Sequence, residues 1–257
     1  MNRTVLFIHG AWLTPAIWNH FKGRFSACGY TCLAPPWPSL RSQSGAVLPG
    51  ARPAPLGLAR IIDHYASIVE GLPYAPLLVG HGVGGLVVQL LLDRGLGTAG
   101  IAIAPIPPRG VQRSALAFNL LPLLLNGGVW AHKAEMTFEY FATKVAQRLS
   151  SYEQCAAYRR HIVAAPRRIL YETLLGIRCS VDFSNDQRAP LLLIVGEKDH
   201  VIRASLVEAI YNHHHQSIAP TSFECFADRS HWLIAEPGWE EVADYLIEWS
   251  QTQSGRF

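Results

Sequence analysis

The stretch Leu77-Leu78-Val79-Gly80-His81-Gly82-Val83-Gly84-Gly85-Leu86-Val87 decides how the chain is read. A short apolar run ends in a turn built almost wholly of glycine, and a longer apolar run to Leu92 follows at once. The lengths and the turn signal give a buried strand, a tight turn and a helix. The same alternation recurs on either side. Strands are expected at 4–8, 31–34, 77–79, 100–104, 191–195 and 221–226. Their leucine-rich, β-branched character without polar alternation is that of parallel strands covered on both faces. Pro15, then Ile17, Trp18, Phe21 and Phe25 at helical spacing, predict a helix that ends near Gly29. Leu58, Ile61, Ile62, Tyr65, Ile68 and Val69 predict a second, and residues 240–250 a last one. The fold class is α/β.

Two stretches interrupt the alternation. Residues 40–55 are rich in Ser, Gly and Pro and form a loop. Residues 106–188 separate two consecutive strands by far more than the dozen or so residues a crossover needs. Helical patterns within it, at 138–149 and 151–164, make it a helical insertion. The domain plan is therefore a core of 1–105 and 190–257, with 106–189 inserted.

Of 257 residues, 49% are hydrophobic and 16% charged, which favours a large core and argues against disorder. The formal charge is +3 with the basic residues scattered, so no nucleic-acid footprint is present. The longest nearly apolar run, 115–125, is broken by Asn119 and Pro122 and is too short to span a membrane. Residues 5–8 are too short for a signal segment. The five cysteines, Cys28, Cys32, Cys155, Cys179 and Cys225, include no C-x-x-C pair. They are expected to be reduced, mostly buried thiols, which favours a cytoplasmic location.

The glycine turn has the form of G-x-S-x-G, in which small flanking residues permit a strained bend that lifts the central side chain above the sheet. Here Gly80 and Gly84 flank Gly82, so the central position carries no nucleophilic atom. Asp199 follows the strand 191–195, and His231 follows the strand 221–226; Asp228 is a second candidate partner for His231, in a loop. Their order after the turn is elbow, acid, histidine. His9-Gly10-Ala11 follows the first strand, where the Ala11 amide, together with that of Val83, would stabilise an oxyanion.

These residues together resemble the α/β-hydrolase superfamily, specifically its small branch with a helical lid between two central strands. The resemblance implies a mostly parallel central sheet flanked by helices, with residues 106–189 as the lid. It also implies His231 and Asp199 as catalytic residues, Ala11 and Val83 as the oxyanion hole, and residue 82 as the nucleophile position. The departure is Gly82, where the family has serine or, less often, cysteine or aspartate.

Three readings follow. The first is a cofactor-free enzyme on a small apolar molecule, in which the His231–Asp199 dyad is a general base toward water or the substrate itself. Hydrolysis, C–C cleavage, lyase and cyclase chemistry all suit that geometry. The second is a serine esterase or lactonase with glycine substituted at residue 82. The third is a non-catalytic small-molecule binding protein. Substrate contacts are expected from Trp12, His81, Trp130, Phe138, Phe141 and Trp232, with Trp37 as a further aromatic candidate. His9 and His81 are expected to make structural hydrogen bonds. The run His213-His214-His215 is expected to be a solvated helix end, so no metal or cofactor is assigned. Gly80, Gly82 and Gly85 satisfy G-x-G-x-x-G spacing, but the next strand ends in Ala104-Pro105 without the acidic residue a dinucleotide fold needs. No nucleic-acid or membrane partner is expected, and the apolar insertion helices would suit a homodimer.

Overall fold

Fully buried strands and the turns at their carboxyl ends organise the molecule, whose computed structural model describes residues 3–38, 56–112 and 133–254. In chain order the elements begin with β1 (Arg3–Ile8), a 3-10 turn (Pro15–Trp18), α1 (Asn19–Ala27), β2 (Tyr30–Leu33) and α2 (Leu58–Glu70). Then come β3 (Leu77–His81), α3 (Val83–Asp93) and β4 (Ala99–Ile103). The long connection that follows holds β5 (Lys133–Ala134), α4 (Phe138–Tyr140), a π-type turn (Phe141–Val145), α5 (Ser151–His161), β6 (Ala165–Pro166) and α6 (Arg167–Leu175). The chain closes with β7 (Leu191–Gly196), α7 (Ala204–His214), β8 (Thr221–Phe226) and α8 (Trp239–Ser254).

Six strands form one sheet in the order β2-β1-β3-β4-β7-β8, and every adjacent pair is parallel. The β3, β4 and β7 strands are buried at every residue, which accounts for their unbroken apolar sequence. Helix α2 instead buries one stripe, Leu58, Ile61, Ile62, Tyr65, Ala66 and Val69. Helix α3 is buried from Val83 to Leu92 and, Gln89 apart, is apolar on every face over that span. The order reverses between β1 and β3, and in an open parallel sheet ligands bind outside the carboxyl ends at such a point.

The predicted strands and the four predicted core helices are present. The connection differs from a purely helical insertion, because β5 and β6 pair antiparallel within it. The pattern at 138–149 condenses into one helical turn and the π-type turn, ending at Val145. Helix α5 starts at a capping box, Ser150 with Glu153, and stops at His161. Helix α6 had no counterpart in the sequence reading, and of α7 only its end at the histidine run was expected. The apolar run 115–125 and the loop 40–55 lie outside the described residues. The cysteines are free, yet only Cys179 is buried, while Cys28 and Cys155 are exposed; the expectation of mostly buried thiols is corrected, since Cys28 lies in the turn that ends α1 and Cys155 on the surface of α5.

Three glycines are compelled by backbone crossing backbone. A Cβ on Gly80 would lie 2.2 Å from the Gly84 carbonyl oxygen, one on Gly84 2.1 Å from that of Ile8, and one on Gly196 2.3 Å from that of Arg229. Gly23, inside α1, meets nothing within 4 Å. Replacing Gly84 by Ala is expected to cost about 3 kcal/mol or more, because neither backbone segment can yield. Gly23→Ala is expected to add about 0.5–1 kcal/mol, since it removes only unfolded-state freedom. Urea denaturation of the two variants checks both; equal stabilities would contradict the packing described.

Candidate active site

The turn after β3 is a sharp one. Gly82 adopts φ 58° and ψ −115° and forms the N-terminal boundary of α3. Its amide donates to Ile103 O at 3.0 Å, and its carbonyl accepts from Ile106 N at 3.1 Å and Leu86 N at 3.2 Å. Val83 thereby becomes the first residue of α3, one of the positions whose N–H has no intrahelical acceptor. Across the sheet, the β1–β3 register pairs Ile8 with Gly80, which sets His9 and Gly10 beside His81 and Gly82. A Cβ on Gly10 would lie 3.0 Å from His81 O, so the approach is close.

Downstream, β7 delivers Asp199 and β8 delivers His231. His231 Nδ1–H donates to Asp199 Oδ2 at 2.7 Å. The other carboxylate oxygen, Oδ1, accepts from Val201 N at 2.8 Å and Ile202 N at 2.7 Å. Asp199 is 3% exposed and so held in one orientation. This bond leaves His231 Nε2 as the acceptor on the cavity side. The two loops are tied together by Lys198 N to Arg229 O at 2.8 Å and Glu197 N to Phe226 O at 2.9 Å. Beneath His231, the buried Glu236 accepts from Ser230 N at 2.8 Å and from the Ser230 hydroxyl. Asp228, the alternative acid, is half-exposed and ion-paired with Arg148.

These residues open onto a cavity of about 620 Å³, its mouth included. The sheet side contributes Gly10, Ala11, Trp12, Leu13, His81, Gly82, Val83, Val201, Ile202, His231 and Trp232. The long connection contributes Ile106, Met136, Tyr140, Val145, Ile162, Leu170 and Thr173. None of these residues carries a fixed charge; the polar side chains are His81, Tyr140, Thr173 and His231. Burial, and after it the charge of Asp199, raises the Tyr140 phenol above its ordinary range, so it is a hydrogen-bond donor at neutral pH.

Of the expected substrate contacts, Trp12, His81 and Trp232 line this cavity, and Trp130 lies outside the described residues. Phe138 and Phe141 do not, which corrects their assignment. Phe138 is 40% exposed with its ring edge-on to Tyr158, and Phe141 is wholly buried against Trp232 and Tyr158. Trp37 stacks on His9 instead. Trp12 does more than line the cavity. Its backbone is left-handed at φ 59°, its indole donates to Ala134 O at 2.9 Å, and its carbonyl accepts from Val163 N at 2.9 Å. Tyr140, Met136, Ile162, Leu170 and Thr173 were missed by sequence reasoning; only the i, i+3 spacing of Leu170 and Thr173 on α6 offered a signal.

His9 Nδ1–H donates to Gly10 O at 2.9 Å, and His81 Nε2–H to His231 O at 3.1 Å. His214, expected at a solvated helix end, is instead 2% exposed and lies against Gln89 and Phe183. Among the described residues no group of three or more His, Cys, Asp or Glu side chains converges as a metal site requires. No helix among them is long and apolar enough to cross a membrane.

Burial lowers the His9 pKa to about 4, opposed in part by its bond to Gly10 O. It lowers His214 to about 3, assisted by the charge of Arg188. Burial, then the charge of His231, also puts His81 well below the ordinary imidazole range. In the unfolded chain all three take a proton near pH 6.5, whereas the folded protein keeps them neutral. The unfolded state therefore binds more protons below that pH. Stability is full above about 6.5 and declines as pH falls toward 4, by about 1.4 kcal/mol per pH unit for each such group. Urea midpoints measured from pH 7 to 5 should fall, and His214→Gln should flatten the slope; a flat profile for the unmodified chain would contradict the neutral assignment.

A family model described as the alpha/beta hydrolase family matches residues 5–245. Among curated proteins no sequence match is found. Three solved structures share the fold at low identity. A carboxylesterase structure from Nitrososphaera gargenis aligns with TM-score 0.72 and 14% identity, over 100% of this chain and 92% of that one. A thermophilic esterase from Thermogutta terrifontis aligns with TM-score 0.69 and 18% identity, over 98% and 91%. A methylesterase from Arabidopsis aligns with TM-score 0.69 and 16% identity, over 97% and 99%. With the parallel sheet and the glycine turn already in place, the matched span of 5–245 settles the assignment: this chain belongs to the alpha/beta hydrolase family.

Proposed function

We propose that the chain is a cofactor-free enzyme acting on a small, neutral, largely apolar carbonyl compound, with His231 as general base and no covalent intermediate on the protein. The observation that carries this reading is the joint presence of a buried, doubly hydrogen-bonded Asp199 on His231 and a strained turn at a glycine. His231 Nε2 takes a proton from water or from the substrate's own O–H or C–H. The Ala11 and Val83 amides stabilise the oxyanion or enolate that forms. Residues 106–189 act as a lid over a core of 1–105 and 190–257, in support of which seven residues from that connection line the cavity. An uncharged lining favours an apolar substrate, and free thiols favour work in the cytoplasm. Ester hydrolysis through activated water is the reaction closest to the esterases and lipases whose fold it shares.

One observation favours a second reading, an esterase that carries glycine in place of serine. A Cβ added at Gly82 has Gly10 Cα, at 3.9 Å, as its nearest neighbour, so the first carbon of a serine side chain meets nothing closer than ordinary contact. The two readings part on one set of variants. Gly82→Ser is expected to release p-nitrophenol from a short-chain ester in a stoichiometric burst, abolished in the Gly82→Ser/His231→Ala double variant. The same change should lower stability by about 1–3 kcal/mol, because a side chain at this φ is strained. In the unmodified chain, turnover without a burst that falls about 100-fold or more in His231→Ala supports the general-base enzyme. Unmodified turnover indifferent to His231 would overturn it, and a burst only after serine is restored, with no prior turnover, would leave the esterase reading alone.

A further inference from the structure

Glu236 lies in the turn that leads into α8 and is 2% exposed, a buried carboxylate for which the chemistry so far has no use. Among the described residues it pairs with no cation. Arg229, close to it in sequence, is engaged by Pro237 O at 2.6 Å and by Glu241. Both oxygens of Glu236 go to one residue instead. Oε1 accepts from Ser230 N at 2.8 Å, and Oε2 accepts from the Ser230 hydroxyl. The hydroxyl oxygen accepts in turn from Trp232 N at 3.1 Å. The groups so anchored belong to the residues immediately before and after His231.

A buried carboxylate without a cation is costly, and only full hydrogen bonding of its oxygens offsets that cost. Here only a carboxylate meets the donors present. A glutamine has one acceptor oxygen; with that oxygen on Ser230 N, its NH2 faces a hydroxyl that already accepts from Trp232 N, and the hydroxyl hydrogen has no acceptor. With the amide reversed, its NH2 opposes the Ser230 N–H. The carboxylate's own backbone is fixed as well, since Glu236 N donates to Trp232 O at 3.0 Å and Glu236 O accepts from Trp239 N at 3.0 Å at the start of α8. His231 O accepts from His81 Nε2–H at 3.1 Å, so the chain is held before, at and after the histidine.

We propose that Glu236 is a positioning residue for His231, acting through Ser230 to fix the peptide units on either side of the imidazole, so that Nδ1 meets Asp199 while Nε2 faces the cavity. Glu236 does not itself line the cavity. The proposal rests on His231 as the base of the reading above, and it holds whether the proton comes from water, from substrate or from a serine restored at residue 82. Trp232, which lines the cavity, packs its ring edge-on against Phe141, a contact independent of the brace. Loss of the brace therefore acts on kcat more than on KM.

The test combines p-nitrophenyl butyrate turnover by the full chain, the burst rate of Gly82→Ser, and the low-field proton NMR signal of the His231 Nδ1–H bond to Asp199, assigned by its loss in His231→Ala. Glu236→Gln is expected to lower kcat and the burst rate by about tenfold or more, with KM changed by no more than about threefold, and to broaden or abolish the signal. Glu241→Gln, which removes the exposed carboxylate on Arg229, should alter none of these. Ser230→Ala removes the hydroxyl link and should lower the burst rate by about threefold or more. In that background one acceptor suffices, so adding Glu236→Gln should cost less than about twofold further and leave stability in urea no lower than that of Ser230→Ala. Those two variants decide the matter if Glu236→Gln alone does not fold. A folded Glu236→Gln with unchanged rates and signal would overturn the proposal. So would an unaltered Ser230→Ala, or an equal loss from Glu236→Gln with and without the Ser230 hydroxyl. If neither turnover nor burst depends on His231, the base reading falls; a signal that Glu236→Gln leaves intact overturns the positioning role alone.

Discussion

Backbone packed on backbone at the carboxyl edge of the sheet is the constraint on which the site depends. Gly80 and Gly84 let α3 begin within contact of β3 and of Ile8, and that closeness forces the chain through φ 58° at Gly82. The same bend places the Val83 amide at the start of α3. Gly196 lets the segment Arg229–Ser230 cross directly over the end of β7, which holds the loops carrying Asp199 and His231 in one piece. Left-handed backbone at Trp12, Ala104 and Asp228 falls at the ends of neighbouring strands. Strain of this kind, about 1–3 kcal/mol per residue, persists only where surrounding structure over-determines it. It collects here at one edge of the molecule.

The core and the connection between β4 and β7 are joined by a few directed polar contacts. Trp12 holds Ala134 and Val163 through side chain and backbone. Gln147 donates to Lys198 O at 2.6 Å, next to the acid, and Arg148 pairs with Asp228, close to the histidine. Glu172, buried on α6, accepts from Leu58 N at 2.6 Å at the start of α2, where the helix dipole favours a carboxylate. Each contact ties the connection to a loop or helix start of the core, so the positions of Tyr140, Leu170 and Thr173 depend on the core as well as on the connection.

This division explains what was legible in the sequence. Strand runs buried on both faces are unmistakable, and glycine spacing, Asp199 and His231 are signals confined to a few adjacent residues. The cavity wall is a different matter. Tyr140 and Met136 lie on short turns with no period of their own, and Phe138 and Phe141 share the composition of a cavity lining while one faces outward and the other packs on Trp232. Which aromatic turns inward depends on tertiary contacts such as Tyr158 OH to Met136 O at 2.6 Å, which no local pattern encodes. His214 was misread for the same reason. A histidine run at a helix end suggests solvent, yet the packing of α7 turns one of the three toward Gln89.

The pairing of Asp199 with His231 bears most directly on what glycine at residue 82 means. A buried carboxylate is costly to desolvate, and an apolar replacement of similar volume for such a pair is often neutral or stabilising. Glycine at φ 58°, in contrast, is the least strained residue that the turn can hold. A chain shaped by stability alone would keep the second feature and shed the first. This one holds both, with Asp199 satisfied at both oxygens and His231 presented to an uncharged cavity. The combination supports the general-base reading proposed above: an imidazole held in one orientation by a buried acid, facing an uncharged cavity beside a turn that carries no side chain at Gly82.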